Sequence, residues 1–78
     1  MRLEVVEEIL GFGVLGLQEI GADQEFRLRD LIDEAFWEKT EVEERRVAGK
    51  RFKAMMEQYT SVEIVRTDSA NHHHYRKV

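Results

Sequence analysis

Apolar residues recur along this chain at two spacings, helical up to about residue 60 and alternating beyond it. Leu3, Val6, Leu10, Leu17 and Ile20 fall at roughly helical intervals and predict a first helix over 3–20. Gly11, Gly13 and Gly16 interrupt it, each less favourable than alanine in a helix interior by about 1 kcal/mol. Either the helix breaks near Gly11–Gly13 or another backbone packs closely against it. Gly21-Ala22-Asp23 reads as a turn, and residues 24–27 as a short strand. Leu28, Leu31, Ile32, Ala35 and Phe36 then form an i, i+3, i+4, i+7, i+8 stripe, predicting a helix over 28–37. Arg29, Asp30, Asp33 and Glu34 cover its other side, and Trp37 ends it at the edge of the core. Thr40 with Glu43 reads as a capping box that starts a third helix over 41–59. On a wheel centred on Phe52, Ala48, Met55, Met56 and Tyr59 share one side, with Arg45 among them. Gly49 lies at the margin of that side, where it would let a neighbouring helix approach closely.

From Ser61 to Thr67 the pattern is β-branched and alternating. Asp68-Ser69-Ala70-Asn71 has turn chemistry, and Asn71 tolerates a left-handed backbone. A hairpin over 62–67 and 72–78 is expected, with His73, Tyr75 and Lys77 on one face of the second strand. The order helix, short strand, helix, helix, hairpin predicts an α+β class. Specifically, it predicts a three-helix, winged helix-turn-helix-like domain with a C-terminal two-stranded hairpin, spanning 1–78.

Composition narrows the classes. A 78-residue chain has room for one core. There is no cysteine, hence no disulfide and no thiol metal site. The longest apolar stretch, Ile9–Leu17, is too short and too glycine-rich to cross a bilayer. Glu4, Glu7 and Glu8 after Met1-Arg2 are the wrong charges for a secretory leader, so a cytoplasmic location without membrane association is expected. The net charge of −4 hides a split. Residues 1–44 hold four Lys/Arg against thirteen Asp/Glu, net −9, whereas residues 45–78 hold eight against three, net +5. Such asymmetry guides partner choice better than the sum, although the halves also simply attract one another within a fold.

The basic half carries the candidate chemistry. On the third helix Arg46, Lys50 and Lys53 lie away from Phe52, where a groove-facing helix presents cations to phosphates and base edges. Arg45 points inward and reads as a structural ion pair with Asp30 or Asp33. The competing reading is a solvated face laced with i,i+4 pairs to Glu43 and Glu57. On the last strand Arg76 and Lys77 are candidate wing contacts to the nucleic-acid backbone. His72-His73-His74 invites a metal, but a strand puts only His72 and His74 on one face and a closed zinc site needs four ligands. No metal or other cofactor is expected. The carboxylate pairs Glu7/Glu8, Asp33/Glu34 and Glu43/Glu44 lie on solvated faces. There is no nucleophile triad, P-loop or dinucleotide-binding glycine pattern, so neither catalytic residues nor a small-molecule substrate are expected.

The run Glu25-Phe26-Arg27-Leu28-Arg29-Asp30-Leu31, then Trp37, Arg45, Gly49-Lys50-Arg51-Phe52, Asn71 and Tyr75-Arg76-Lys77, resembles a family of short bacterial and phage-associated proteins catalogued only as a domain of unknown function. The pattern covers the chain from Gln24 to its end. It implies a compact winged-helix-like domain with no established enzymatic activity and transfers no functional residue. Arg27 stands where the family more often has another polar residue, which removes a hydroxyl cap from the second helix.

Two functional readings follow. In the first, the chain is a small DNA-binding regulator or accessory factor acting through Arg46, Lys50, Lys53, Arg76 and Lys77. In the second it is a protein-interaction module or dimeric adaptor, using the apolar surplus of Phe12, Val14, Leu15, Val47 and Ala54. The first helix is the natural homodimer contact. A basic face unbroken by Glu43, Glu57 or Glu63 favours the first.

Overall fold

Helix α1 (Leu3–Leu17) runs unbroken through its glycines in the computed structural model, which describes all 78 residues. Close packing explains two of the three glycines. A Cβ at Gly13 would lie 2.9 Å from Leu28 Cδ1 and 3.2 Å from the Phe52 ring; at Gly16 it would lie 2.9 Å from the Leu31 carbonyl oxygen. The helix ends at Leu17, three residues before the expected Ile20. The Leu17 and Ile20 carbonyls instead accept from Lys77 Nζ at 3.2 and 3.0 Å, which satisfies groups a frayed end would leave to water.

Strand β1 is shorter than expected, Glu25–Phe26. The helix expected over 28–37 is two pieces, a 3-10 turn at Leu28–Leu31 and a five-residue helix α2 at Glu34–Glu38. Ile32 between them is extended, φ −106° and ψ 137°. Two side chains impose the break. Asp30 accepts from the Arg27 N–H at 2.9 Å and pairs with the Arg27 guanidinium, closing the first piece on itself. Asp33 accepts from the Phe36 N–H at 3.2 Å and so acts as the N-cap of α2. The apolar stripe is still buried, because a tight turn followed by an extended residue returns Leu28, Ile32 and Trp37 to the same core.

Helix α3 spans Val42–Met56, starting one residue later and ending three residues earlier than expected. The capping residues are Glu41 and Glu44, not Thr40 and Glu43: the Glu41 N–H donates to Glu44 Oε1 at 2.7 Å. Thr40 is engaged elsewhere, its hydroxyl donating to the Trp37 carbonyl and accepting from Arg45 Nε. Ala48, Phe52 and Met56 form the apolar inner stripe of α3 and meet Val6, Ile9 and Leu10 of α1. Glu44 extends that stripe by one turn and is fully buried. Its Oε2 accepts from the Arg2 backbone N–H and Arg2 Nε, both at 2.9 Å, and its Oε1 from Arg2 Nη2 at 3.0 Å. These bonds to Arg2, with the Glu41 N–H, hold the carboxyl down to about 2 against its burial.

The hairpin of β2 (Val62–Thr67) and β3 (His73–Lys77) gains a third strand, giving the antiparallel order β1-β3-β2. Phe26 is opposite Tyr75 in the β1–β3 register, and the β2–β3 ladder carries an irregularity between Ile64 and Arg66. Asn71 takes the expected left-handed conformation, φ 66°. No helix is long and apolar enough to cross a membrane.

Two outcomes follow from these contacts. Gly16→Ala gains helix propensity but drives a methyl against the Leu31 backbone, and urea denaturation should show a net loss of about 1–2 kcal/mol. Unchanged or higher stability would refute the close approach. For Glu44 the folded value is depressed from 4.5 to about 2, so its stabilisation is complete above about pH 4.5 and lost as pH falls through 2. Glu44→Gln should therefore lower stability at pH 7 and converge on the parent towards pH 2 in an acid series. Parallel curves would remove the ion pair from the account.

Candidate nucleic-acid interface

One face of α3 borders an open groove of about 630 Å³. Val42, Arg45, Arg46, Gly49 and Lys50 line it at i, i+3, i+4, i+7 and i+8, the stripe that flanks the buried Glu44, Ala48, Phe52 and Met56. Arg27, Leu28 and Arg29 of the 3-10 turn form a second side, and Ala70 to His73 of the β2–β3 turn a third; Trp37 and Tyr75 also line it. Five arginine and lysine residues border the groove and no carboxylate does.

The cations differ in how they are engaged. Arg27 is tied to Asp30 at 2.9 Å. Arg45 points inward as expected, but its partners are not Asp30 or Asp33. It donates from Nε to the Thr40 hydroxyl at 2.8 Å and from Nη2 to the Trp37 carbonyl at 2.7 Å, with its guanidinium carbon 5.1 Å from the Trp37 ring centroid. Here the free acceptors at the end of α2 replace a carboxylate. Arg29, Arg46 and Lys50 form no ion pair with any protein carboxylate. Lys53, one turn beyond Lys50, is also unpaired and lies outside the groove lining. Its charge reaches His73, whose pKa falls through burial first and then through Lys53. His73 Nδ1 lies 2.9 Å from the Thr67 hydroxyl.

The two strand cations are employed differently. Lys77 caps α1 from the sheet, as described above. Arg76 forms an exposed pair with Glu63 on the neighbouring strand. Neither joins the Arg46–Lys50 face. The histidine run is also dispersed: His72 lines the groove, while His74 sits between Asp68 at 2.8 Å and Glu25 at 3.3 Å. Asp68 anchors the turn, accepting from His74 and from the His72 and Ala70 N–H groups, which hold its pKa down to about 2.

Sequence reasoning missed Arg29, which it had placed on the solvent face of a continuous helix. Asp33 carried the signal, because an aspartate preceding Glu34-Ala35-Phe36 is a helix-start residue. Of the apolar surplus, Phe12 and Leu15 are exposed, Val47 packs against the core, and Phe12 meets Phe36 edge-on at 5.1 Å; Leu3, expected on the apolar stripe of the first helix, is exposed as well. Leu3 lies half a turn round α1 from Phe12, so the exposed residues do not form one stripe.

Residues 15–77 match the family described as Domain of unknown function (DUF1413). The chain belongs to that family. The match begins within α1, further towards the N-terminus than the Gln24 at which the resemblance was legible. No curated protein matches the sequence of this DUF1413 chain. Among solved structures it is similar to one described as SCCmec type IV LP1413, a nucleic acids binding protein. The two share 16% identity over 94% of this chain and 86% of that one, with a TM-score of 0.69, a likeness of fold.

The different engagements of Lys77 and Arg76 are measurable. Lys77→Met removes the charged donor to two helix-end carbonyls and should lower stability by about 1–2 kcal/mol in urea denaturation. Arg76→Ala, which breaks only an exposed pair, should leave stability nearly unchanged. The reverse ranking would contradict the capping role.

Proposed function

We propose that this domain is a non-enzymatic nucleic-acid-binding module, with DNA as its ligand, and that the groove beside α3 is where it binds. The observation that carries the reading is the groove's lining: Arg29, Arg46 and Lys50 border it without ion-pair partners, and no acidic residue interrupts them. A polyanion supplies what this surface lacks. Each phosphate neutralised by a cation releases condensed counterions, so such a surface binds with a steep salt dependence. In this reading α2, the turn at 39–41 and α3 serve as a helix-turn-helix, and the β2–β3 hairpin is its wing. The wing contributes its turn, residues 70–73, rather than the strand cations Arg76 and Lys77. Lys53 extends the cationic face by one turn. The likeness in fold to LP1413, itself described as binding nucleic acids, supports the same reading.

Trp37 is the single tryptophan and lines the groove, so its fluorescence reports occupancy. Titration with a short oligonucleotide, as single strand and as duplex, should change that signal at low salt. Arg46→Ala and Lys50→Ala should each weaken binding about tenfold and reduce the slope of log K against log salt by about one. Absence of binding to both forms at low salt and micromolar protein would overturn the proposal.

A further inference from the structure

Gly49 is the glycine of α3 that the fold itself does not require. Gly13 and Gly16 are explained by close approach to α1, and neither they nor the other glycines take a positive φ. Gly49 was expected to admit a neighbouring helix, yet a Cβ built there meets nothing within 4 Å. Glycine in a helix interior exposes backbone and carries the largest conformational entropy loss, so an alanine would serve the folded domain better. The vacancy is also placed where it matters. Gly49 follows Arg46 on the groove face, precedes Lys50, and looks across to the turn at residues 70–73. Along α3 this is the one point where bare helix backbone borders the groove, with unpaired cations on either side.

We propose that Gly49 is the contact point for the sugar–phosphate backbone of a bound strand, which lies directly against α3 with a phosphate held among Arg29, Arg46 and Lys50. The inference rests on the nucleic-acid reading and adds where the strand runs. A side chain at 49 would hold the strand off the helix. It would lengthen every charge-assisted contact on that face while leaving the number of cations unchanged. The chemistry fits a phosphodiester because Arg29, Arg46 and Lys50 pair with no carboxylate, none lines the groove, and a thin, anionic backbone can enter where a side chain is missing.

The test pairs stability with affinity. Gly49→Ala should raise the thermal midpoint by about 4 °C. It should also weaken binding of the labelled oligonucleotide about tenfold, with the salt slope unchanged. Gly49→Leu, which fills more of the groove, should bind more weakly still. Gly11 is the control: a Cβ there also meets nothing within 4 Å, and it lies exposed on α1 away from the groove. Gly11→Ala should gain the same thermal stability and lose no affinity. If Gly49→Ala binds as tightly as the parent while Arg46→Ala and Lys50→Ala weaken binding, the backbone contact is wrong and the nucleic-acid reading stands. If polyglutamate competes as well as the oligonucleotide, the phosphodiester assignment is wrong. If the parent binds neither strand form, both proposals fall.

Discussion

The position of Phe52 governs the rest of the molecule. Its ring is fully buried, edge-on to Tyr75 at 5.4 Å, and Tyr75 in turn stacks on Phe26 at 5.6 Å. On the other side the same ring fills the space that a Cβ at Gly13 would need. One side chain of α3 thus touches α1 and reaches the centre of the sheet through Tyr75. Burying an aromatic of this size is worth about 2–3 kcal/mol, more than any exposed ion pair on the surface. Phe52 therefore fixes the rotation of α3. With residues 44, 48, 52 and 56 turned inward, helical periodicity leaves 42, 46, 49 and 50 on the groove side, with the inward Arg45 at its edge. The candidate site is the outer consequence of the core contact.

Charge pairing then selects which cations remain for a ligand. The acidic first half and basic second half do meet, through Arg51 and Glu7 at 3.0 Å and Arg66 and Glu25 at 3.1 Å. Within the basic half Arg76 takes Glu63. Exposed pairs of this kind add little stability. What they change is the local field, since a guanidinium already beside a carboxylate offers a phosphate little. The bland expectation of mutual attraction and the sharper one of a basic face therefore describe different residues of one protein. Arg51 and Arg66 serve the first and Arg76 is spent within the basic half, whereas Arg29, Arg46, Lys50 and Lys53 are left for the second.

The elements whose periodicity had one solution were legible in the sequence: α3, the hairpin, its Asn71 turn and the inward Arg45. Residues 28–37 had two. Their i, i+3, i+4 stripe is satisfied by a continuous helix, and equally by a 3-10 turn, an extended Ile32 and a short helix. Periodicity reports only which side chains are buried. Local hydrogen bonds from Asp30 and Asp33 decided it, and the decision moved Arg29 into the groove. Gly49 was illegible for a related reason. A glycine on a helix signals that something comes close, but not whether that is a helix of the same chain, as Leu31 is to Gly16 only in part, or something the fold leaves room for. The capping pair at Thr40 was displaced because its hydroxyl is taken by the Trp37 carbonyl and Arg45 Nε, which leaves the cap to Glu41 and the buried Glu44.

The walls of the groove are held by different forces, and this bears on how it would receive a ligand. α3 is fixed in the core by Ala48, Phe52 and Met56. The opposite wall, residues 70–73, is largely exposed or half-buried, and its shape depends on Asp68 accepting from two backbone N–H groups and His74. Segments with few buried apolar contacts open at free energies well below that of global unfolding. A polyanion entering the groove would therefore meet one rigid wall carrying Arg46, Gly49 and Lys50 and one adjustable wall carrying His72 and His73. Register would be set by the helix, and closure by the turn. Such a division lets a site keep its phosphate spacing while accommodating strands of different shape, which suits recognition of a backbone better than recognition of a base sequence.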